Sequence, residues 1–451
     1  MKALLLLLVA LSAALPSRFI AAGLPVLWVL QRLLPPDLAS LLRVGPVELA
    51  PTDLVILLLF AKLLTSVVLR KELVVEPALY LALGGYLMVN LVATLVAGIK
   101  FGEPQLVRCA TSWARFVSEV LVVPIIAQTM KTLPQAKLCI RVLLGTLVAL
   151  AVIQFVNYVG VGHGFVIGEV QGVERGELRY FGPVGDSVGM MLLLGFLASL
   201  CFVNLTGAAL FLGGILLTAG LGAVLATGVG TLFFLLFGTR TAAVRDFSRR
   251  KLWVLPLVAL AGIFALAVFA KPLTATLFGR LGTGTYADSG AQRAVSASLA
   301  GAMIIDNPLL GVGYMGYERA LANYGGPKYF DLTKPDGATA NANNQILQAL
   351  TDAGLFGLIA LAALLVCAGR LFLRVAARCE DQFVSTFFVA VFIWLLAQVF
   401  GNIAAVWLNP SSFVARLLWV ALGVAVAVAR LLPKSEPQGI PAGAQPQLQL
   451  A

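Results

Sequence analysis

Charged residues are scarce in this sequence of 451 residues. Only 12% of the residues are Asp, Glu, Lys or Arg, while 60% are hydrophobic, and an ordinary soluble domain carries about 25% charged residues. This shortage excludes a soluble globular protein. Apolar runs of about 20 residues, long enough to cross the roughly 30 Å of a bilayer as helix, recur along the chain. Because these runs lack the alternation of barrel strands, the sequence predicts an all-α polytopic membrane protein.

Residues that form disulfides or bind metals are also few. All five cysteines fall in predicted spans or at their cytoplasmic edges, and no Cys/His spacing indicates a metal site. We therefore expect no metal and no cofactor. The only histidine is His163, in VGHGF at the outer edge of the fifth predicted span. A lone histidine among loop glycines is more often an interfacial residue than a catalyst.

Hydropathy and helix breakers predict about twelve spans. Residues 206–238 are nearly unbroken apolar sequence, which we interpret as two short helices with a tight outer turn. Pro16 and Arg18 interrupt the first segment, and its start, MKALLLLLVALSAAL, also resembles a signal peptide, so cleavage stays an alternative. The predicted spans are residues 3–34, 52–69, 77–98, 108–130, 138–159, 187–204, 206–219, 221–238, 252–270, 353–370, 382–404 and 413–431.

Basic residues predict the orientation, because they favour the cytoplasmic side of short loops. They cluster in alternate loops, which places both termini in the cytoplasm and the loops 160–186 and 271–352 outside. The net charge of +11 then reflects topology and contact with anionic membrane lipids rather than nucleic acid. Four regions result: spans one to nine in 1–270, a large helical outer loop or lid in 271–352, spans ten to twelve in 353–431, and a disordered Pro/Gln-rich tail in 432–451.

Polar residues inside predicted spans need partners. Arg115 and Glu119 lie four residues apart in WARFVSEV, a spacing that permits an ion pair, and Lys62 could join them. The later spans contain few such residues, and we find no internal repeat. Both observations count against a transporter or flippase.

The outer loop 271–352 is far longer than an ordinary connection, which favours a functional segment. Its residues 289–308 predict an amphipathic helix with Ser289 as N-cap, Arg293 on the first turn and Pro308 as the stop. A glycine-rich turn, GVGYMGY, follows, and the loop ends in ATANANNQILQALTDAGLFG (338–357). The asparagines there either cap a helix or line a reaction site, and both roles are compatible.

The segments IIDNPLLGVGYMGY (304–317) and NANNQILQALTDAGLFGLIAL (341–361), together with Arg293, resemble the signature of the O-antigen ligase and O-antigen polymerase family. LRYFGPVGDSVGMMLLL (178–194) extends the resemblance upstream. It implies an inverting glycosyltransferase of the bacterial inner membrane. Such an enzyme moves a glycan from undecaprenyl diphosphate to an acceptor on the periplasmic side, without metal. The acceptor is lipid A core for a ligase, which we favour slightly, or a second lipid-linked glycan for a polymerase.

The resemblance also implies roles for two arginines, Arg179 and Arg293, which match positions that hold the carrier diphosphate. A guanidinium suits this task because it binds phosphate oxygens in a bidentate fork and stays charged. Two alternatives stay open. Arg293 could pair with Asp306 or Asp288, and Arg179 could anchor its loop at the lipid headgroups.

The sequence departs from the family pattern at the predicted catalytic turn. The family reads His-Asn where this chain has Asn343 and Asn344, and an arginine expected near residue 221 is absent. Asparagine orients a hydroxyl but cannot take its proton. Either another group is the base, or proton loss comes late, or the chemistry is altered; an inert glycan-binding scaffold is a further alternative. The candidate auxiliary groups are His163, Asp331, Asp336, Glu174 and Glu177.

Overall fold

A computed structural model of the protein is predominantly helical, with two short antiparallel hairpins. The hairpins join β1 (Leu42–Val44) to β2 (Val47–Leu49) and β3 (Glu169–Gly172) to β4 (Leu178–Gly182). The all-helical prediction is thus confirmed for the membrane part and misses these strands. The structure describes residues 15–34, 42–44, 47–70, 74, 76–172, 178–183, 187–218, 221–238, 285–326, 341–401, 406–408 and 412–433.

The helices follow the apolar runs of the sequence. They begin at prolines in several places, where a residue without an N–H costs the first turn nothing, as at Pro51 and Pro77. Their bounds are α1 Ser17–Arg32, α2 Pro51–Arg70, α3 Pro77–Phe101, α4 Glu103–Val120, α5 Val122–Thr129, α6 Leu133–Gly160, α7 Val188–Cys201, α8 Leu205–Leu217, α9 Leu221–Phe237, α10 Thr285–Asp306, α11 Tyr317–Ala320, α12 Gln345–Arg378, α13 Gln382–Gly401 and α14 Phe413–Leu431.

Seven helical segments in the described part of the chain are long and apolar enough to cross a membrane. Three shorter apolar helices, α7, α8 and α9, accompany them. The pair α8 and α9 confirms the prediction of two short helices in 206–238. The total of about twelve spans stays a prediction, because the span predicted at 252–270 lies outside the described residues, as does the start of the first.

Helix α14 lies at the centre of the bundle. Buried residues make up 83% of its apolar window, against 33% for α2 at the periphery. Its Trp419 ring contacts Phe116 of α4 edge to face, with 5.9 Å between ring centroids. Helix α14 is therefore enclosed by other helices over most of its length.

The buried Glu119 has a different partner from the predicted one. Its Oε1 accepts hydrogen bonds from Arg416 of α14, at 2.9 Å from Nε and 2.7 Å from the terminal nitrogen. In the described part of the chain, the Lys62 ammonium donates to the Leu15 carbonyl at 3.3 Å. The four-residue spacing of Arg115 and Glu119 suggested a local pair, but a cation 297 residues away in sequence reaches the carboxylate. Arg416 also lies over the Trp28 ring, 5.4 Å from its centroid.

Candidate functional site

The candidate site is organised around a break in helix α12. Gly354 has φ 63° and ψ −154°, which interrupts the helix in its upper part. The break leaves carbonyls and an amide without helical partners, and residues 307–316, here called the glycine loop, supply them. Val312 N donates to Thr351 O at 2.7 Å, Gly313 N to Asp352 O at 3.0 Å, and Leu355 N to Pro308 O at 2.8 Å.

Glycine is required at this junction because two backbones approach each other closely. A Cβ on Gly311 would lie 2.4 Å from Thr351 O, and one on Gly354 would lie 2.3 Å from the Leu309 carbonyl. A Cβ on Gly313 would lie 2.6 Å from the backbone of Ala97 in α3. Gly311 and Gly313 of the GVG sequence and Gly354 of TDAG therefore belong to the same junction, although they lie in separate parts of the chain.

Helices α3 and α4 anchor the glycine loop from below. Tyr314 N donates to Ala93 O at 3.0 Å, and the Cys109 thiol donates to Tyr314 O at 2.9 Å. The Lys100 ammonium donates to Gly311 O at 3.0 Å and also contacts the Asn307 side chain. Burial is the main cause that raises the pKa of Tyr314 well above its usual value, and nearby Tyr86 and Asp352 raise it further. The Tyr314 hydroxyl therefore stays protonated.

The sequence interpretation missed a buried acid, Asp352, directly before this break. Its side chain accepts a hydrogen bond from Gln348 Nε2 at 2.9 Å, and Gln348 Oε1 accepts one from Ala342 N at 2.9 Å. The carboxylate is 6% exposed. Gln and Asp four residues apart in an otherwise apolar helix are the signal that could have identified this pair. Together they connect the asparagine-rich turn to the helix break.

Helix α10 carries Arg293 and is longer than predicted. It begins at Thr285, so Ser289 lies inside the helix and the predicted N-cap is wrong; it ends at Asp306, two residues before Pro308. Ser296 is buried and links the helix to its surroundings. The Tyr317 hydroxyl donates to Ser296 O at 2.9 Å, and Asn343 Nδ2 lies 3.4 Å from Ser296 Oγ.

Arg293 lies one helical turn before Ser296, the α10 residue that Asn343 contacts. Residues three apart on a helix are neighbours on its surface, so Arg293 projects from the side on which Ser296 meets Asn343. The alternative pairing of Arg293 with Asp306 is wrong. Thirteen residues of helix separate them by about 20 Å, and Asp306 accepts a hydrogen bond from the Tyr324 hydroxyl at 2.9 Å. The side chain of Asp288 lies outside the described structure.

The adjacent asparagines have different structural roles. Asn344 is the N-cap of α12, since its Oδ1 accepts from Ile346 N at 2.8 Å and Leu347 N at 3.1 Å. The capping interpretation is thus confirmed for Asn344. Asn343 has φ 51° and its N–H donates to Asn341 Oδ1 at 2.7 Å. This left-handed turn directs Asn343 towards α10 instead of along α12.

The remaining predicted residues are not joined to this arrangement by any described contact. Arg179 lies in β4 opposite Gln171, and its side chain is outside the described structure. His163 is exposed in a short 3-10 turn after α6. Their roles stay predictions, as do those of the four candidate carboxylates. Outside the described residues lie Asp331, Asp336, Glu174 and Glu177.

An apolar groove opens beside the break, on the side of α3. It has a volume of about 170 Å³. Nearby Leu309 and Ile305 are also exposed, at 55% and 78%. Within the described ranges, no group of three or more His, Cys, Asp or Glu side chains lies close enough to hold a metal ion. The groove is lined by Met88, Val89, Val92, Ala93, Leu310, Ala353 and Phe356.

Comparison with known proteins agrees with this geometry. Residues 206–362 match the family model described as O-Antigen ligase. The matched segment contains Arg293, the glycine loop, Asn343 and Gly354, and it ends before the last two spans. No curated protein matches the chain. The family resemblance that the sequence motifs indicate is therefore confirmed for the part of the chain that forms the candidate site.

Proposed function

We propose, from the match of residues 206–362 to the O-Antigen ligase family model, that the protein transfers a glycan from undecaprenyl diphosphate to an acceptor hydroxyl. The reaction takes place on the periplasmic side of the bacterial inner membrane, with both termini in the cytoplasm. The family supports a membrane glycosyltransferase with lipid-linked glycan substrates. The carrier, the side of the membrane and the stereochemistry are the finer parts of the proposal.

The observation that carries the proposal is the meeting of α10 with the asparagine-rich turn. Arg293 lies one turn before Ser296, and Asn343 contacts Ser296 at 3.4 Å. A cation that binds phosphate and an amide that orients a hydroxyl are thereby held on one helix face. Those are the two tasks of this transfer: stabilising the diphosphate as it leaves, and directing the acceptor at the anomeric carbon.

The apolar groove fits the lipid part of the donor. Its lining is formed by side chains on α3, the glycine loop and α12, next to the broken helix. A polyprenyl chain that enters from the bilayer would place its first units in this groove and its diphosphate above it. The exposure of Met88 and Phe356, 58% and 49%, supports lateral entry, because both face the surrounding lipid.

The chemistry requires a single displacement. The acceptor oxygen forms a bond to the anomeric carbon while the bond from that carbon to the diphosphate oxygen breaks, which inverts the configuration. Arg293 stabilises the charge that develops on the leaving diphosphate. The acceptor proton passes late to a diphosphate oxygen or to a carboxylate of the outer loops, because Asn343 orients the hydroxyl without deprotonating it. No metal is needed for this sequence of steps.

Ligase and polymerase differ only in the acceptor. We favour the ligase reaction, with lipid A core as acceptor, and regard polymerisation onto a second lipid-linked glycan as the alternative. Both reactions use the same donor site. The difference must lie in how the acceptor is bound.

The test is transfer by the purified protein in nanodiscs. The donor is undecaprenyl-diphosphate oligosaccharide, and lipid A core is supplied or omitted. We expect product with wild type, a loss of at least about 100-fold in Arg293→Ala, since removing one transition-state donor costs 10²–10³, and little change in Arg319→Ala. Arg319 is the matched control because it is an exposed arginine of the same outer region.

The outcomes separate the alternatives. Product only with lipid A core identifies a ligase, and chain growth with donor alone identifies a polymerase. A faster Asn343→His variant would mark that asparagine as the position of the family's histidine. Equal activity of wild type and Arg293→Ala would refute the assigned role of Arg293. The absence of product with either acceptor, while donor binding is retained, would favour a scaffold. Movement of the donor between the membrane leaflets would favour a flippase.

A further inference from the structure

A second cavity lies at the end of the bundle opposite to the glycine loop. Gln128, in its wall, accepts a hydrogen bond from Val74 N at 3.1 Å, just before α3 begins. The glycine loop contacts the other end of the same helix, at Ala93 and Lys100. About 20 helical residues separate these contacts, or roughly 30 Å. This cavity is therefore remote from the candidate transfer site.

The cavity combines cations with neutral hydrogen-bonding groups. Its volume is about 310 Å³, and its cations are Arg18 of α1, Lys62 of α2 and Lys131 beyond α5. No acidic residue is among the described residues that line it. The hydroxyls of Ser17, Ser66 and Thr129 and the amides of Gln128 and Gln135 complete its polar wall. Three positive side chains from separate segments create a local field that favours an anion.

The start of α1 strengthens this preference. Ser17 is the first residue of a helix of 16 residues, and the preceding Pro16 provides no side-chain cap. The positive end of the helix dipole therefore lies at the cavity wall, where Phe19 N already donates to Pro16 O at 3.0 Å. This contribution acts together with the three cationic side chains, which come from the same region of the surface.

The floor of the cavity is apolar. Leu59 and Leu63 of α2 are 1% and 7% exposed and close it towards the bundle core. On the bundle surface beside the cavity, the side chains of Phe19 and Leu64 are about half exposed. A ligand that suits both surroundings has an anionic head and apolar chains. A freely soluble anion would use the head site alone.

We propose that this cavity binds a phosphate-bearing ligand, and that the ligand is the headgroup of an anionic phospholipid. The basic residues predict this end of the bundle to be cytoplasmic, where the membrane surface is rich in anionic lipid. The site would hold the phosphodiester against Lys62 and Lys131, with the acyl chains along Phe19 and Leu64. It is independent of the transfer reaction proposed above.

The test is native mass spectrometry of the full-length protein with phosphatidylglycerol or phosphatidylcholine. The cavity variant is Lys62→Gln with Lys131→Gln. The control is Arg370→Gln with Arg378→Gln, which removes two charges from exposed residues of α12 outside the cavity. We expect wild type to retain phosphatidylglycerol in preference to phosphatidylcholine. Each cavity lysine should contribute about fivefold, so the double variant should weaken this binding about 25-fold, and the control less than twofold.

Each result decides a separate point. Competition by millimolar inorganic phosphate would identify a free phosphate ligand in place of the lipid. Equal losses in the cavity and control variants would overturn the proposal, because binding would then follow overall charge. No preference of wild type for phosphatidylglycerol would also overturn it. Thermal unfolding of both double variants verifies that each is folded, so a loss of binding reports on the cavity.

Discussion

Replacing Gly354 by alanine tests whether the break in α12 is built into the fold. At φ 63° and ψ −154° a side chain costs of the order of 1–3 kcal/mol in backbone strain. A Cβ would also lie 2.3 Å from the Leu309 carbonyl, so the glycine loop must shift. That shift weakens up to three hydrogen bonds, each worth about 1 kcal/mol. The expected loss in the free energy of unfolding is therefore about 3 kcal/mol or more.

The assay is unfolding of the purified protein in detergent, compared with glycan transfer by the same preparation. Gly301→Ala is the matched control, because this helical glycine of α10 has nothing within 4 Å of an added Cβ. Alanine there should stabilise the protein by up to about 1 kcal/mol. The Gly354 variant should lose stability and transfer together. Wild-type stability and activity in Gly354→Ala would refute the reasoning, because the loop would then not depend on the break.

Three further substitutions test other contacts. Glu119→Gln should lower the free energy of unfolding by about 3–5 kcal/mol, because it leaves the buried Arg416 charge without its carboxylate. Adding Arg416→Met should restore most of this loss. Additive losses of the two substitutions in thermal unfolding would contradict a coupled pair. Asn344→Ala should cost about 1 kcal/mol and Asn344→Asp much less, by the same measurement, since aspartate also caps helices. Tyr317→Phe should cost about 1 kcal/mol through the lost bond to Ser296 O, and unchanged unfolding would show that this bond contributes nothing.

The sequence predicted the membrane helices well because hydropathy is a local property. Helices α2, α3, α6, α8 and α9 begin and end within a few residues of the predicted spans. The break between α4 and α5 at Leu121 was missed, although Pro124 lies three residues after it and removes a helical N–H donor. Local patterns thus located the spans but not every irregularity within them.

Long-range pairing was harder to predict. The partner of Glu119 is Arg416, and nothing in the neighbourhood of either residue indicates the other. Similarly, the glycines near 311 were interpreted as a turn, whereas they allow the loop to replace the helical hydrogen bonds lost at Gly354. Such contacts depend on the packing of α3 and α12, which spacing alone does not specify.

The candidate site was predicted in part. Arg293 and Asn343 were selected from family motifs, and the structure places Arg293 one helical turn from Ser296, which Asn343 contacts. Asp352 was overlooked because it is a single acidic residue at the edge of an apolar run, a position that is usually exposed at a helix end. Its importance becomes visible only when the broken helix and the Gln348 bridge are seen together.

The donation of loop amides to a broken helix also imposes an order on biogenesis. The carbonyls of Thr351 and Asp352 find their donors in residues 312 and 313; Gly313 lies against Ala97, and Tyr314 N donates to Ala93 O. All of these partners precede α12 in the chain, so the ribosome has made them before the helix emerges. The first turns of α12 therefore meet a complete set of partners, and a chain lacking residues 77–101 would leave the Tyr314 N–H without its Ala93 acceptor.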